Sequence, residues 1–465
     1  MAKKTHKIKG NPDILNQPEL CRAFLRAMRS RESILPKTVL MNRVDAVLER
    51  RDLFLEGASR FGTPQYFYDE PSVIRQIERF KEVFSRYFDS FHMFYAMKSN
   101  SFAGIRDQVV MRGMGLDVSS GLELTKALSS NCKKIIFTGP GKTDEEIQLA
   151  VRNRDRVTVL VDSHSELQRI SELLQPKINE NEPVKVGFRV RSNQGGIWDK
   201  FGIPLNNLSD TIWKASSFKG IEPCGIQFHT SWNLDPARQI MMINEIGSYI
   251  NRNLPETLQK SLKFFDIGGG FWPEEGEWLN PQNTAKGKLI ELLDPVYKFS
   301  KKHYYHKSKP LDYFAKEIFK TLQEQGPPIC NLDIWMEPGR WISTPTMHIL
   351  LKVIDKKDQR VVITDGGTNL LGWEKPLAEF TPVINLSRPS NKECSVRVFG
   401  SLCTPHDIWG HSIFGNGVER GDFLIVPDQG AYTYSLRQSF IKPVAKVVRY
   451  DGNSLDETEA EKSFP

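Results

Sequence analysis

Between residues 90 and 340, short runs of β-branched and aromatic residues alternate with longer stretches whose apolar positions recur every three or four residues. Eight of the short runs read as strands: FHMFYAMK from Phe91, GLDVSS from Gly115, KIIFTG from Lys134, RVTVLVDS from Arg156, VKVGFRV from Val184, IEPCGIQFHT from Ile221, LKFFDIGGG from Leu262 and LDIWMEPGR from Leu332. The segments between them carry helical spacing, as in DEEIQLAVRN from Asp144 and SELQRISELL from Ser165. Eight strands with crossover helices over ~250 residues predict a closed (β/α)8 barrel. After Arg340 the pattern changes to MHILLKVI, QRVVITDGG, SVRVFG, GDFLIVP and FIKPVAKVVRYDG, short strand-like runs punctuated by Gly, Pro, Asn and Asp. The expected division is an N-terminal extension over 1–62, with a helix and a strand to lend to the β domain, a barrel over 63–345 and an all-β domain over 346–465. Trp272 to Pro328 is longer than one crossover needs and reads as an insertion carrying extra helices.

Composition narrows this picture. A chain of 465 residues exceeds what one ordinary core absorbs. The net charge of +7 is modest and partly lies in the tail MAKKTHKIKG, so no concentrated basic face argues for nucleic acid. Cys21, Cys132, Cys224, Cys330, Cys394 and Cys403 are scattered without a CxxC pair, which favours a reducing compartment. With no signal-peptide core and no apolar run near the ~18 residues of a membrane helix, a cytoplasmic protein without membrane contact is expected. No metal site is expected.

The residues capable of chemistry fall at the ends of the expected strands, where the loops of a barrel meet. Lys98 closes the first strand, where a lysine can lose its charge and form an imine, although a single strand-end lysine is more often a solvated one. Gly268, Gly269 and Gly270 follow the seventh strand, a recurrent phosphate position, although three glycines alone suit any tight turn. Glu337 and Arg340 lie in EPGR at the eighth; a carboxylate there could face a pyridine nitrogen and an arginine could bind phosphate or carboxylate. His229 ends the sixth strand, and Asp117 and Arg189 end the second and fifth. Cys403, in GSLCTPHDIW, reads most simply as a small buried hydrophobe unless its loop reaches a barrel mouth, its own or a partner's. TGPGKT from Thr138 fails the P-loop spacing, because Ile136 stands where glycine is required.

Together, YAMKSN, GLDVSSGLEL, FTGPGK, VDSHSEL, KFG at Lys200, DIGGGF, EPGR, GSLC and GAYT, in this order from about Thr63 to Asp451, resemble the fold type III pyridoxal-phosphate decarboxylases, the group of ornithine and diaminopimelate decarboxylases. The resemblance implies a barrel of alanine-racemase type, an all-β C-terminal domain, pyridoxal 5′-phosphate, an amino acid substrate and a homodimer with shared active sites. It implies that Lys98 is the Schiff-base lysine, that His229 stacks on the ring and that Glu337 meets the pyridine nitrogen. Gly268 to Gly270, Arg340 and Tyr432 of GAYT would surround the phosphate or the adjoining substrate group, and Asp117, Glu123 and Arg189 would support the cofactor. Cys403 of the opposite subunit would protonate the carbon that loses carbon dioxide, with Asp365, Thr404 and Asp407 near the substrate.

Two departures bear on specificity. HTSWN puts Trp232 where relatives have a small serine, and Thr404 follows the cysteine where relatives have Asp or Glu for the far ammonium of a diamino acid. A substrate with another tail therefore fits equally well. Two alternatives stay open. Related racemases place arginine at the ring nitrogen and use tyrosine as second base, against which Glu337 and Cys403 argue; a catalytically inactive, partner-binding relative would have lost cofactor residues.

Overall fold

The computed structural model describes residues 33–458 apart from 175–181, 193–196, 295–301 and 373–378, together with Arg22 and Leu25. The basic tail and Cys21 lie outside the described residues.

All eight expected barrel strands form: Phe91–Ala96, Gly115–Val118, Ile135–Phe137, Val157–Val161, Val184–Arg191, Ile221–Gln227, Phe264–Asp266 and Asp333–Met336. Each pairs in parallel with its neighbour in chain order, and the ring closes where Ile334 to Met336 meet Phe91 to Met93. Helices cover the outside; the one over Asp144–Arg152 begins at Thr143 with a capping box to Glu146.

Inside the ring, the two-residue alternation of a strand stacks side chains in layers. The floor is apolar, a cluster of Phe94, Ile136, Leu160, Cys224, Phe264 and partly buried Trp335. Phe264 and Trp335 stack at 3.6 Å, and glycine at 225 leaves room for them, since a Cβ there would lie 2.4 Å from the Phe264 ring. Two residues further along four of these six strands the character reverses, Ile136 giving way to Thr138, Leu160 to Asp162, Phe264 to Asp266 and Trp335 to Glu337, and Lys98 follows four residues past Phe94. This second layer is the polar ceiling on which the site is built.

The second domain is an eleven-stranded sheet. Its long central strand, Met347–Asp358, pairs with Val361–Thr364, with Phe423–Val426 and with Gln65–Asp69. Gln65–Asp69 also runs parallel to Lys446–Tyr450, so this strand belongs to the β domain rather than to the barrel that was expected from residue 63. Helices Lys37–Leu48 and Arg51–Phe61 pack Val44, Phe54 and Ala58 against Phe67, Leu350 and Ile384 of that sheet. The chain thus starts in the β domain, builds the barrel from helix Glu70–Phe84 onward, and returns.

The segment from Trp272 carries the expected extra helix, Ala285–Leu293, and also a hairpin, Glu277–Leu279 with Tyr304–His306, whose third strand is Ser33–Ile34. Helix Leu311–Gln325 packs on Ala237–Asn253 and Glu70–Phe84 as part of the barrel's outer ring. Among the described residues no helix is long and apolar enough to cross a membrane, and no group of three or more His, Cys, Asp or Glu side chains is placed to hold a metal.

Candidate active site

Lys98 lies in a single turn of 3-10 helix, Met97–Ser99, which lifts its side chain over the polar ceiling. Its Nζ is 3.0 Å from Asp117 Oδ2, and Asp117 accepts a further hydrogen bond from Thr138 Oγ1 at 2.7 Å through its other oxygen. Burial alone would lower the lysine's pKa, but the charges of Asp117 and Glu337, with Tyr432, outweigh it and raise the group. The carboxylates around this amine favour its protonated form. Glu123 acts one step further out, its Oε2 taking the Ser119 N–H at 2.8 Å at the start of helix Gly121–Leu128.

Glu337, only 2 % exposed, is gripped from two sides. Gln227 Nε2 donates to Oε1 at 2.9 Å and His229 Nδ1 lies 3.1 Å from Oε2. Burial would raise this carboxyl, but the hydrogen bond from His229, followed by the charges of Lys98 and Arg189, holds it below the usual carboxylate range. His229 itself is shifted down by burial. Asp266 completes the layer. One of its oxygens takes the Gly268 N–H at 2.9 Å, and burial together with Glu337 keeps its pKa well above the usual carboxylate range.

The triple glycine is a steric necessity. Gly268 and Gly270 have φ of 68° and 79°, and a Cβ at Gly268, Gly269 or Gly270 would lie 2.5, 2.2 or 2.3 Å from the carbonyls of Phe228, Glu337 and Thr230. Opposite this turn, the Arg340 guanidinium lies 4.0 Å from the Trp272 ring centroid and 4.9 Å from that of Tyr432, and 3.7 Å from Glu379. Trp232 and Tyr432 both have φ of 54°, a left-handed conformation costly for bulky side chains, and both line the same cavity.

That cavity, of about 350 Å³, joins Lys98, His229, Gly270, Glu337, Arg340 and Tyr432. Trp272, Glu379 and Leu436 also line it, and they were not singled out in the sequence. Neither was Gln227, although its place two residues before His229 on one strand was the available signal. Arg189 faces an adjoining cavity, 3.7 Å from Asp162 and 4.5 Å from the Phe201 ring centroid.

Cys403, Thr404, Asp365 and Asp407 are not in the wall of the Lys98 cavity. The Cys403 thiol is exposed on a β-domain loop, contrary to the simplest reading of a buried cysteine. Asp407, expected at the substrate, is turned inward instead: it is 1 % exposed and its two oxygens accept the N–H groups of Thr368 and Leu402, both at 2.7 Å. Asp365 takes the Lys352 N–H at 2.9 Å and the Thr63 hydroxyl at 2.5 Å. Asp407 braces the loop that carries Cys403, while Asp365 ties its own loop to Lys352 of the central strand and to Thr63. Lys142 of TGPGKT is also turned inward, its ammonium meeting Gly139 O, Leu160 O and Glu166 Oε1 at 2.7, 3.0 and 2.7 Å, which accounts for the rejected phosphate loop.

Comparison with known proteins agrees with this arrangement. Residues 70–344 match the pyridoxal binding domain of the pyridoxal-dependent decarboxylases, more than half of the chain. The diaminopimelate decarboxylase of Methanothermobacter thermautotrophicus is 26% identical over 407 residues, covering 83% of this chain and 86% of the relative. A 2-[(L-alanin-3-ylcarbamoyl)methyl]-2-hydroxybutanedioate decarboxylase of Staphylococcus aureus is 26% identical over 368 residues, covering 74% and 83%. In fold, the chain resembles diaminopimelate decarboxylase from M. jannaschii, solved with L-lysine, at a TM-score of 0.71 and 24% identity, covering 86% of this chain and 90% of that one. The chain belongs to the pyridoxal-dependent amino acid decarboxylases, and pyridoxal phosphate is the cofactor of that family.

Proposed function

We propose that this enzyme holds pyridoxal phosphate through Lys98 and removes the carboxyl group of an amino acid, with Cys403 of a second copy returning a proton to the vacated carbon. The observation that carries this reading is the convergence of the Lys98–Asp117 pair and the Glu337–His229–Gln227 cluster on one cavity beside a glycine turn and Arg340. The residues present fit a flat, anionic pyridine ring. An amine is paired with a buried carboxylate, and a turn too tight for any Cβ leaves backbone free to approach an anion in the cavity that a guanidinium also lines.

Bound pyridoxal phosphate supplies the electron sink for the pair of electrons left when carbon dioxide departs. Asp117 orients the Lys98 nitrogen and keeps a proton near it. Glu337, held as an anion, would favour a proton on a pyridine nitrogen bound against it, and this argues against the racemase alternative. His229 is fixed by Glu337 in position to cover a ring, while Arg340, clamped between Trp272 and Tyr432, offers a rigid cation to the phosphate or the substrate carboxylate. Asp162 and Phe201 hold Arg189 in the adjoining cavity, which His229 also lines.

That Cys403 is exposed and outside its own chain's cavity supports the reading in which the acid comes from the partner in a homodimer with shared sites. Thr404 would accompany it at the substrate. The five described cysteines are all free, which supports a reducing, cytoplasmic setting.

The test is release of carbon dioxide from a panel of amino acids with diamino, acidic, amide and D-configured members. Release from one group of side chains is expected; none from any member, with the cofactor bound, would overturn the assignment.

A further inference from the structure

A second cavity of about 280 Å³ adjoins the Lys98 cavity and shares His229 and Ser231 with it. Its apolar wall is Trp198, Phe201, Met241 and Met242, and its charged wall sets Arg189, Arg191 and Arg238 against the single carboxylate of Asp199. Asp199 lies 2.7 Å from Arg191 Nη1, but Arg191 Nε is buried without a hydrogen-bond partner among the described residues. Exposed Arg238 reaches only the Ser231 carbonyl, at 3.5 Å, and makes no ion pair among the described residues.

Arg238 does not serve its own helix. It stands in the first turn of Ala237–Asn253, where no acidic residue accompanies it and where a cation has the wrong sign for the helix dipole. An unpartnered donor on Arg191 and an unpaired guanidinium on Arg238, facing one apolar-backed cavity, form a fork suited to a planar anion. We propose that this cavity is a carboxylate-binding site that takes the far end of an anionic substrate side chain.

The inference deepens the decarboxylase reading by naming the substrate class. An amino acid seated at Lys98 would extend its side chain past Ser231 toward Arg191 and Arg238. Trp198 and the two methionines would cover the methylenes between the two ends. The same surface repels a terminal ammonium, since three guanidiniums face it.

Two arms test this on the holoenzyme. In the kinetic arm, amino acids of equal length ending in carboxylate, amide or ammonium are compared. The carboxylate member is expected to have a kcat/KM at least about tenfold above the ammonium member. Arg238→Gln should raise its KM about tenfold with kcat changed less than about twofold, and Arg238→Lys should recover part of the loss. A preference for the ammonium member, or an unchanged KM in Arg238→Gln, overturns the proposal.

In the binding arm, succinate is titrated by calorimetry into wild type, Arg238→Gln and Arg191→Gln. Binding weakened in both variants and competitive with substrate supports the assignment. Weakened but non-competitive binding keeps a carboxylate site and overturns its assignment to the substrate's tail. Binding that is absent, or equal in all three proteins, overturns the site itself. If no amino acid releases carbon dioxide, the decarboxylase reading fails, while the succinate titration still decides whether the cavity binds carboxylates.

Discussion

Around Lys98, buried polar side chains satisfy one another: Asp117 holds the amine, Thr138 holds Asp117, and Gln227 and His229 hold Glu337. Around Cys403, carboxylates serve mainly backbone instead, buried Asp407 fastening Thr368 and Leu402 and half-buried Asp365 fastening Lys352, while the thiol itself is exposed. The first region is a network whose desolvation cost is offset within one chain. The second is a rigid loop that presents a reactive group outward. On the proposed reading this contrast divides the reaction: a single chain would build the cofactor half, and the proton-returning half would be offered to another copy.

Substitutions should separate the two halves, beginning with the largest effect. Lys98→Ala should lower carbon dioxide release by about 10⁴-fold or more and remove the near-visible absorbance of bound cofactor. Cys403→Ala should cost about 10² to 10⁴-fold, the usual range for a positioned acid, while leaving that absorbance in place. Mixing the two inactive proteins under conditions that exchange subunits should recover about a quarter of the wild-type rate, because half of the dimers then carry one intact site. No recovery would mean that each chain closes its own site.

Glu337→Gln removes the charge but keeps the shape. A fall in kcat on the order of a hundredfold, about 3 kcal/mol, is expected with cofactor still bound. An unchanged kcat would break the link drawn between this carboxylate and the ring nitrogen.

The smallest effect belongs to the β domain and concerns stability. His348 is 2 % exposed, accepts the Asp428 N–H at 3.1 Å, and is lowered by burial from 6.5 to about 4. Between those values the unfolded chain binds a proton that the folded one refuses, so this contribution to stability is complete above pH 6.5 and declines as pH falls toward 4. Urea unfolding should show a loss of about 2 kcal/mol from this group between pH 7 and pH 5, and His348→Gln should remove that part of the slope.

What could be read in advance followed from periodicity. Val157–Val161 and Ile221–Gln227 are buried along most of their length and stand out as apolar runs, and the glycine or charge that ends such a run marked the barrel's mouth. Gln227 and Asp266 escaped notice because each sits inside a run that reads as plain strand. Only the alternation of side chains in the closed ring turns them toward Glu337. The hairpin of Glu277–Leu279 and Tyr304–His306 was missed because its strands have three residues each and its third partner, Ser33–Ile34, is remote in sequence. Asp407 was assigned to substrate because sequence does not tell a carboxylate that meets a ligand from one that meets backbone N–H groups.

The account rests on Lys98 as the residue that carries the cofactor. Treatment of the holoenzyme with borohydride, followed by peptide mass mapping, should find a reduced pyridoxyl adduct on the peptide containing Lys98 and on no other lysine. Recovery of that peptide unmodified from fully reconstituted enzyme would contradict it.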